Sequence, residues 1–346
     1  MNEADQTLVE GLLRAVVEGA ARKLVDSRLL EIAPSGLVFC NFVDPESRDY
    51  SLSEAGEALR ASLAVIIEQH NQAHSKSKLI GLELFTYLIE HLSRVSRILQ
   101  KPRGHGLLVS LGGNGRSTIT KLATFINDGA LFRIDASQAY GRNEWLDDLR
   151  TLYKAAGVED QTQVLALTVA EAGACEGSFD DVSSIANSGE VPNLFAADDL
   201  DEISAEMGRL SKKLALSGAL QVFTQRCRAN VHVLLSMSPA GDDLREHLRR
   251  YPALANCMTI DWFLPWPEEA LRAVASAQLR ASTYLASHGD SPAGAQSAAK
   301  GGEAREREKA EGAGSEDATR GQGLAGELAP LFVKIYQSVV GVAERY

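Results

Sequence analysis

The sequence predicts an α/β fold, a parallel sheet flanked by helices, and three observations carry that prediction. Residues 107–111 form a short, almost wholly apolar run, the pattern of a strand buried on both faces of a parallel sheet. A glycine-rich segment follows it at once, at residues 112–115. Beyond that point strand-like and helix-like segments alternate as far as residue 263, as they do in βα units.

In order along the chain, residues 7–33 have helical character and break at Pro34, Ser35 and Gly36. Residues 37–42 read as a short strand, ended by the turn-rich Asp44-Pro45-Glu46-Ser47, and residues 52–73 read as helical again. A stronger helix is predicted over 82–99. Phe85, Leu88, Ile89, Leu92, Val95 and Leu99 recur there at three- and four-residue steps and make one apolar face. Pro102 and Gly104 stop it. After the 107–111 strand and its glycines come a helix over 118–126, a strand over 131–134, a helix over 143–156 and a strand over 163–168. A helical stretch near 179–187 and a long acidic, helical segment lead to strands at 231–235 and 258–263, with a helix over 242–250 between them.

Residues 287–326 are dominated by Gly, Ala, Ser, Glu, Lys and Arg, a composition that buries too little to offset its ordering entropy, so a disordered insertion is expected. Helical periodicity returns at 328–346 (Leu331, Ile335, Val339, Val342), and the chain stops inside it, which reads as a cut in a longer sequence. The expected organisation is a helical connector at 1–36, a large α/β unit at 37–266 and a partial helical lid at 267–346 that contains the insertion.

A net charge of −11 argues against a general nucleic-acid binder, which needs a basic surface. No run reaches the length a membrane helix needs, and the acidic start lacks the pattern of a secretory leader. Cys40, Cys175, Cys227 and Cys257 lie far apart, so reduced thiols in a cytoplasmic setting are expected rather than a zinc site or a disulfide framework. His70 and His74 stand four apart without an evident third metal ligand, and the acidic run Asp198, Asp199, Asp201, Glu202 reads as a solvated face.

The run Leu107-Leu108-Val109-Ser110-Leu111-Gly112-Gly113-Asn114-Gly115-Arg116-Ser117-Thr118 joins a buried strand to a helix start. That is the setting of a phosphate-binding P-loop, where backbone N–H groups curl around phosphates at a helix N-terminus. The standard pattern asks for glycine, four residues, then Gly-Lys-Ser/Thr. Here Ser110 stands at the first glycine and Arg116 at the lysine, while Ser117 keeps the hydroxyl that reaches Mg²⁺ in an intact motif. Taken alone the segment is also readable as a plain glycine-rich turn, and the alternation after it favours a P-loop descendant. A P-loop ATPase further needs carboxylates at the end of a later strand. After the 163–168 strand come Val169 and Ala170, with no carboxylate before Glu171. Glu171 is either a displaced catalytic group or a solvent-facing glutamate at a helix start.

Several segments together resemble the fourth AAA+ module of axonemal dynein heavy chains. They are residues 90–99 with Lys101-Pro102-Arg103-Gly104 leading into the glycine-rich loop, Asn187-Ser188-Gly189-Glu190-Val191-Pro192-Asn193-Leu194-Phe195, Cys227-Arg228-Ala229-Asn230-Val231-His232-Val233, Met237-Ser238-Pro239, and Asp261-Trp262-Phe263-Leu264-Pro265-Trp266-Pro267. The likeness spans about residues 37–280 and resumes at 328–346.

The resemblance implies a P-loop AAA+ module in a ring of six, part of an ATP-driven, minus-end-directed microtubule motor of the ciliary or flagellar axoneme. It implies Gly112, Gly113, Asn114, Gly115, Arg116, Ser117 and Thr118 around the phosphates of ATP or ADP, with Ser117 toward any Mg²⁺. It places Ser238 in the sensor region and Arg249 where a module offers an arginine to its neighbour, with Arg245 and Arg250 competing for that role. Trp262 and Trp266 read as a packed hinge into the lid. The family commonly has an aspartate where this chain has Val169, so a structural or regulatory module with a degenerate ATP site, filled or empty, is the main expectation. An actively hydrolysing module, or a truncated scaffold without motor activity, are the alternatives. Partners implied are the neighbouring modules of the same heavy chain. Microtubules and the intermediate and light chains would be reached only through regions outside this sequence.

Overall fold

The computed structural model describes residues 37–281 apart from 45–46, 48, 55, 76, 80–83, 135–139, 215–217 and 267. It also describes Leu8, Gly11, Leu12, Ala15, Pro330, Val333, Lys334, Ile335 and Gln337 as single helical positions. The insertion expected at 287–326 lies outside the described residues, as does most of the connector expected at 1–36.

Two strands precede the sheet. β1 (Leu37–Cys40) pairs antiparallel with β2 (Ser51–Glu54), Leu37 opposite Glu54 and Cys40 opposite Ser51. The helical reading of 52–73 is corrected here: residues 51–54 are strand, and α1 (Glu57–Ala73) begins beyond Gly56. Ser51-Leu52-Ser53-Glu54 carries a single apolar residue and so no periodicity of its own; its pairing with β1 makes it a strand. α2 (Thr86–Gln100) buries Leu88, Ile89, Leu92, Val95 and Leu99, the face its periodicity marks.

The alternating region follows as β3 (Gly106–Val109), α3 (Arg116–Ile126), β4 (Ala130–Phe132), α4 (Arg142–Gly157), β5 (Gln163–Thr168), α5 (Val169–Gly173), α6 (Ser178–Ser188), α7 (Ala197–Leu214), α8 (Ala219–Asn230), β6 (Val231–Met237), α9 (Asp243–Arg250), α10 (Pro252–Asn256), β7 (Thr259–Trp262) and α11 (Glu268–Ala281). The five later strands form one sheet in the order β4-β5-β6-β3-β7, and every neighbouring pair is parallel.

Each face of the sheet has its own core. Leu107, Val109, Leu165, Leu167, Val233 and Leu235 pack with α4, α6, α8 and α10 on one side. Leu108, Val164 and Leu234 meet α1, α2 and α3 on the other. Leu107 and Leu108 are each fully buried, and burial of such a side chain contributes about 1.5–3 kcal/mol. This explains why β3 reads as apolar at consecutive positions instead of alternating. Gly104 admits no side chain, since a Cβ there would meet the Ile98 carbonyl oxygen at 1.8 Å.

Buried polar groups hold the layers in register. Ser96 Oγ donates to Asn41 Oδ1 (2.7 Å), Asn127 Nδ2 donates to Ser96 Oγ (2.9 Å), and Asn41 Nδ2 donates to Asn127 Oδ1 (3.1 Å). The ring ties the end of β1 to α2 and to the end of α3, and a satisfied polar ring of this kind fixes one arrangement of its elements. On the opposite face the Asp181 carboxylate accepts from Nη1 and Nη2 of Arg142 and from Trp145 Nε1 (2.7 Å), which joins α6 to α4. His91 Nδ1 lies 2.8 Å from Asp261 Oδ2, and Arg94 donates to Oδ1 at 3.4 Å, which joins α2 to β7.

The chain leaves β3 through α3 on one face of the sheet, whereas β6 is followed by α9 and α10, whose Leu244, Tyr251 and Leu254 belong to the opposite core. Adjacent parallel strands whose connections depart to opposite faces open a crevice at their carboxyl ends, the place where α/β sheets bind ligands. That crevice lies between β3 and β6. No described helix is long and apolar enough to cross a membrane.

Candidate functional site

β3 ends at Val109, two residues sooner than its apolar run suggests. The Ser110 N–H donates to the Met237 carbonyl (3.1 Å) and its hydroxyl to the Leu111 carbonyl (2.6 Å), so the backbone turns out of the sheet at Ser110. Gly113 (φ +85°) and Gly115 (φ +79°) take the left-handed conformation that lets the loop curl, and α3 starts directly after Gly115. A non-glycine residue would be strained at both positions.

A cavity of about 260 Å³ opens at this end of the sheet. Its lining brings Gly113, Asn114, Gly115, Arg116 and Ser117 from the loop and α3 together with Glu171. Gly112 and Thr118 flank the loop without lining it. Arg133, Thr168 and Ser236 also face the cavity, and none of them stands out in the sequence. Their available signal is register: Ser236 lies opposite Leu108 on one side and Thr168 on the other, so both hydroxyl residues fall at the carboxyl ends of strands beside the crevice, Thr168 last in β5 and Ser236 next to last in β6. Arg133 follows β4 directly.

The Arg116 guanidinium is turned onto the sheet. Its Nη1 donates to the Met237 carbonyl (2.8 Å) and to the Leu108 carbonyl (3.3 Å), bridging the ends of β6 and β3. Partial burial lowers its pKa from the ordinary arginine value. Asn114 is buried, and its Nδ2 donates to the Leu264 carbonyl at 3.4 Å. Tyr87 Oη donates to that same carbonyl at 2.7 Å, so the segment after β7 is fastened both to the loop and to α2. The Trp266 indole lies beside the loop, where a Cβ at position 115 would come within 3.4 Å of it, and packs edge-on to Phe85 with ring centroids 5.2 Å apart. Trp266 is packed as expected, whereas Trp262 is half exposed.

Glu171 is the third residue of α5 and its side chain is turned back on the helix start. Its Oε2 accepts from the Thr168 N–H (2.7 Å), its own N–H donates to Thr168 Oγ1 (3.2 Å), and Arg133 Nη2 lies 3.6 Å from its Oε1. Such a reciprocal pair is a capping box. Ser238 accepts from the Ala240 N–H (3.2 Å) in the turn after β6 and does not line the cavity. Arg249 lies on the exposed side of α9 with Arg245 and Arg250, around a separate depression. His70 and His74 stack on each other and meet Phe125, and among the described residues no group of three or more His, Cys, Asp or Glu is placed to hold a metal. All four cysteines are free thiols.

Loop N–H groups at a helix start, two guanidinium groups and four hydroxyl side chains (Ser117, Thr120, Thr168 and Ser236) around one cavity can donate to phosphate oxygens. The nucleotide that such a loop implies therefore fits the residues present.

The family model described as "P-loop containing dynein motor region D4" matches residues 80–298. Dynein axonemal heavy chain 1 from Homo sapiens is 32% identical over 282 residues, 80% of this chain and 6% of that protein. Dynein axonemal heavy chain 6 from Homo sapiens is 36% identical over 247 residues (69% and 6%), and dynein axonemal heavy chain 2 from Mus musculus is 39% identical over 221 residues (63% and 5%). The chain thus spans about 6% of the length of the first of these relatives. Because the family model covers more than half of its 346 residues, and its sheet and loop have the geometry of a P-loop module, the chain belongs to the P-loop containing dynein motor region D4 family.

Proposed function

We propose that this chain is a nucleotide-holding, non-hydrolysing module of a dynein heavy chain, corresponding to the fourth AAA+ module of the motor ring. One observation carries the proposal: among the described residues, the only carboxylate lining the cavity is Glu171, and it is engaged by the Thr168 N–H and by Arg133. Water activation at a phosphate needs a carboxylate or amide free to orient the nucleophile. The residues of the phosphate site are Gly112 to Thr118, with Arg116 bracing the crevice. In this reading the module contributes shape and nucleotide-dependent regulation. The 346-residue chain, mixed with Mg²⁺ and ATP, is expected to release no phosphate above background. Mg²⁺-dependent turnover abolished by Arg116→Ala contradicts the proposal.

The larger assembly follows from the same reading. The large α/β unit at 37–266 and the lid from 267 onward form one module that docks on its neighbours in the ring, with Ser238 in the sensor turn and Arg249 toward the adjacent module. The whole machine is a minus-end-directed microtubule motor of the ciliary or flagellar axoneme. The names of the axonemal relatives support this placement. An antibody to residues 178–200 is expected to detect in axonemes a polypeptide far larger than 37.2 kDa. A single band near that mass contradicts the motor assignment and favours a stand-alone scaffold.

A further inference from the structure

Divalent metals such as Mg²⁺ bind through oxygens, as a rule one or two carboxylates together with waters and substrate phosphates. The cavity is built differently. Its carboxylate among the described residues is Glu171, with Oε2 held by the Thr168 N–H at 2.7 Å and Oε1 facing Arg133 Nη2 at 3.6 Å. Two guanidinium groups, Arg116 and Arg133, line the same space. A divalent cation there would meet two like charges in a partly desolvated site, which opposes its binding. Ser117 keeps the hydroxyl that reaches the ion in an intact loop, but with the one lining carboxylate among the described residues already engaged, this donor set does not fit the metal ion that phosphate loops ordinarily hold.

The two arginines are not equivalent. Arg116 is fixed by the Met237 and Leu108 carbonyls and half withdrawn from solvent. Arg133 is 45% exposed and holds Glu171 only loosely at 3.6 Å. Its planar fork matches two phosphate oxygens at once, a better partner than one distant carboxylate oxygen. Glu171 keeps its Thr168 hydrogen bonds when Arg133 turns away, so the exchange leaves the helix start intact.

We infer that this cavity binds the metal-free polyphosphate of a nucleotide, with Arg133 supplying the positive charge that a divalent ion supplies elsewhere. The inference rests on the nucleotide reading above and names Arg133 as the residue that sets the preference for the terminal phosphate.

The test is calorimetric titration of the 346-residue chain with ADP and with ATP, once with Mg²⁺ and once with EDTA, repeated on Arg133→Ala and Arg133→Lys. The expected result is that each nucleotide binds at least as tightly in EDTA as with Mg²⁺, because Mg²⁺ captures the free polyphosphate in solution while the cavity opposes the cation. Arg133→Ala is expected to weaken ATP by about tenfold or more and ADP by less, and Arg133→Lys is expected to fall between it and the original chain, because an ammonium keeps the charge and loses the fork. Thermal unfolding of both variants separates lost binding from lost folding. Binding that Mg²⁺ strengthens by about tenfold or more overturns the inference and leaves the nucleotide reading standing. Metal-independent binding untouched by both variants overturns the role of Arg133. Absence of binding under either condition overturns the inference and the nucleotide reading together.

Discussion

A lysine at position 116 would present a compact ammonium to a phosphate, but the longer guanidinium reaches the ends of two strands. Arg116 bonds the Met237 and Leu108 carbonyls, so its charge braces the crevice from inside. The sequence shows the exchange of lysine for arginine, yet not this geometry, because the acceptors are backbone atoms of β3 and β6, distant in the chain. His105 is another group whose state is invisible before folding. Its Nδ1 accepts from the Val233 N–H at 3.1 Å, and burial first, then His232 and Arg103, pushes its pKa down to about 4 from an ordinary 6.5. Burial also lowers His232, whose Nδ1–H donates to the Gly104 carbonyl. The folded chain stays neutral at His105 while the unfolded chain takes up a proton below pH 6.5, so stability is full above that pH and falls as pH drops toward 4. The loss attributable to His105 reaches about 3 kcal/mol at the acid end. Urea unfolding measured across this range is expected to show the decline, and His105→Asn is expected to flatten it. An unchanged slope in that variant contradicts the assignment.

The short α5 gives the clearest separation between a catalytic and a structural glutamate. As a capping residue Glu171 can be exchanged for glutamine with little effect, since an amide oxygen also accepts the Thr168 N–H. Glu171→Gln is therefore expected to change unfolding free energy by less than about 0.5 kcal/mol, while Glu171→Ala and Thr168→Val each cost about 1 kcal/mol. Equal and large losses in all three contradict the capping role. The elements themselves were largely legible. The apolar run of β3, the heptad-like face of α2 and the strand over 163–168 each carry a periodicity that packing preserves. The first hairpin was legible only in part. Ser51-Leu52-Ser53-Glu54 is too short to outweigh the helical pattern that follows, and its pairing with β1 is a tertiary fact. Ser236 enters the cavity through strand register and Arg133 from the residue directly after β4, and both placements depend on pairing between segments far apart in sequence.

For the whole molecule, the order β4-β5-β6-β3-β7 sets the phosphate loop and the ends of β4, β5 and β6 around one crevice. The loop is fastened to the segment after β7, because Asn114 and Tyr87 both donate to the Leu264 carbonyl. In the proposed reading, a module of this kind holds nucleotide without consuming it. The most direct test is a single-turnover experiment, in which limiting ATP is mixed with excess chain and Mg²⁺, quenched over hours, and separated by chromatography. The account predicts bound ATP recovered intact, with Glu171→Gln indistinguishable from the original chain. Conversion to ADP that Glu171→Gln abolishes would contradict it and assign Glu171 to catalysis.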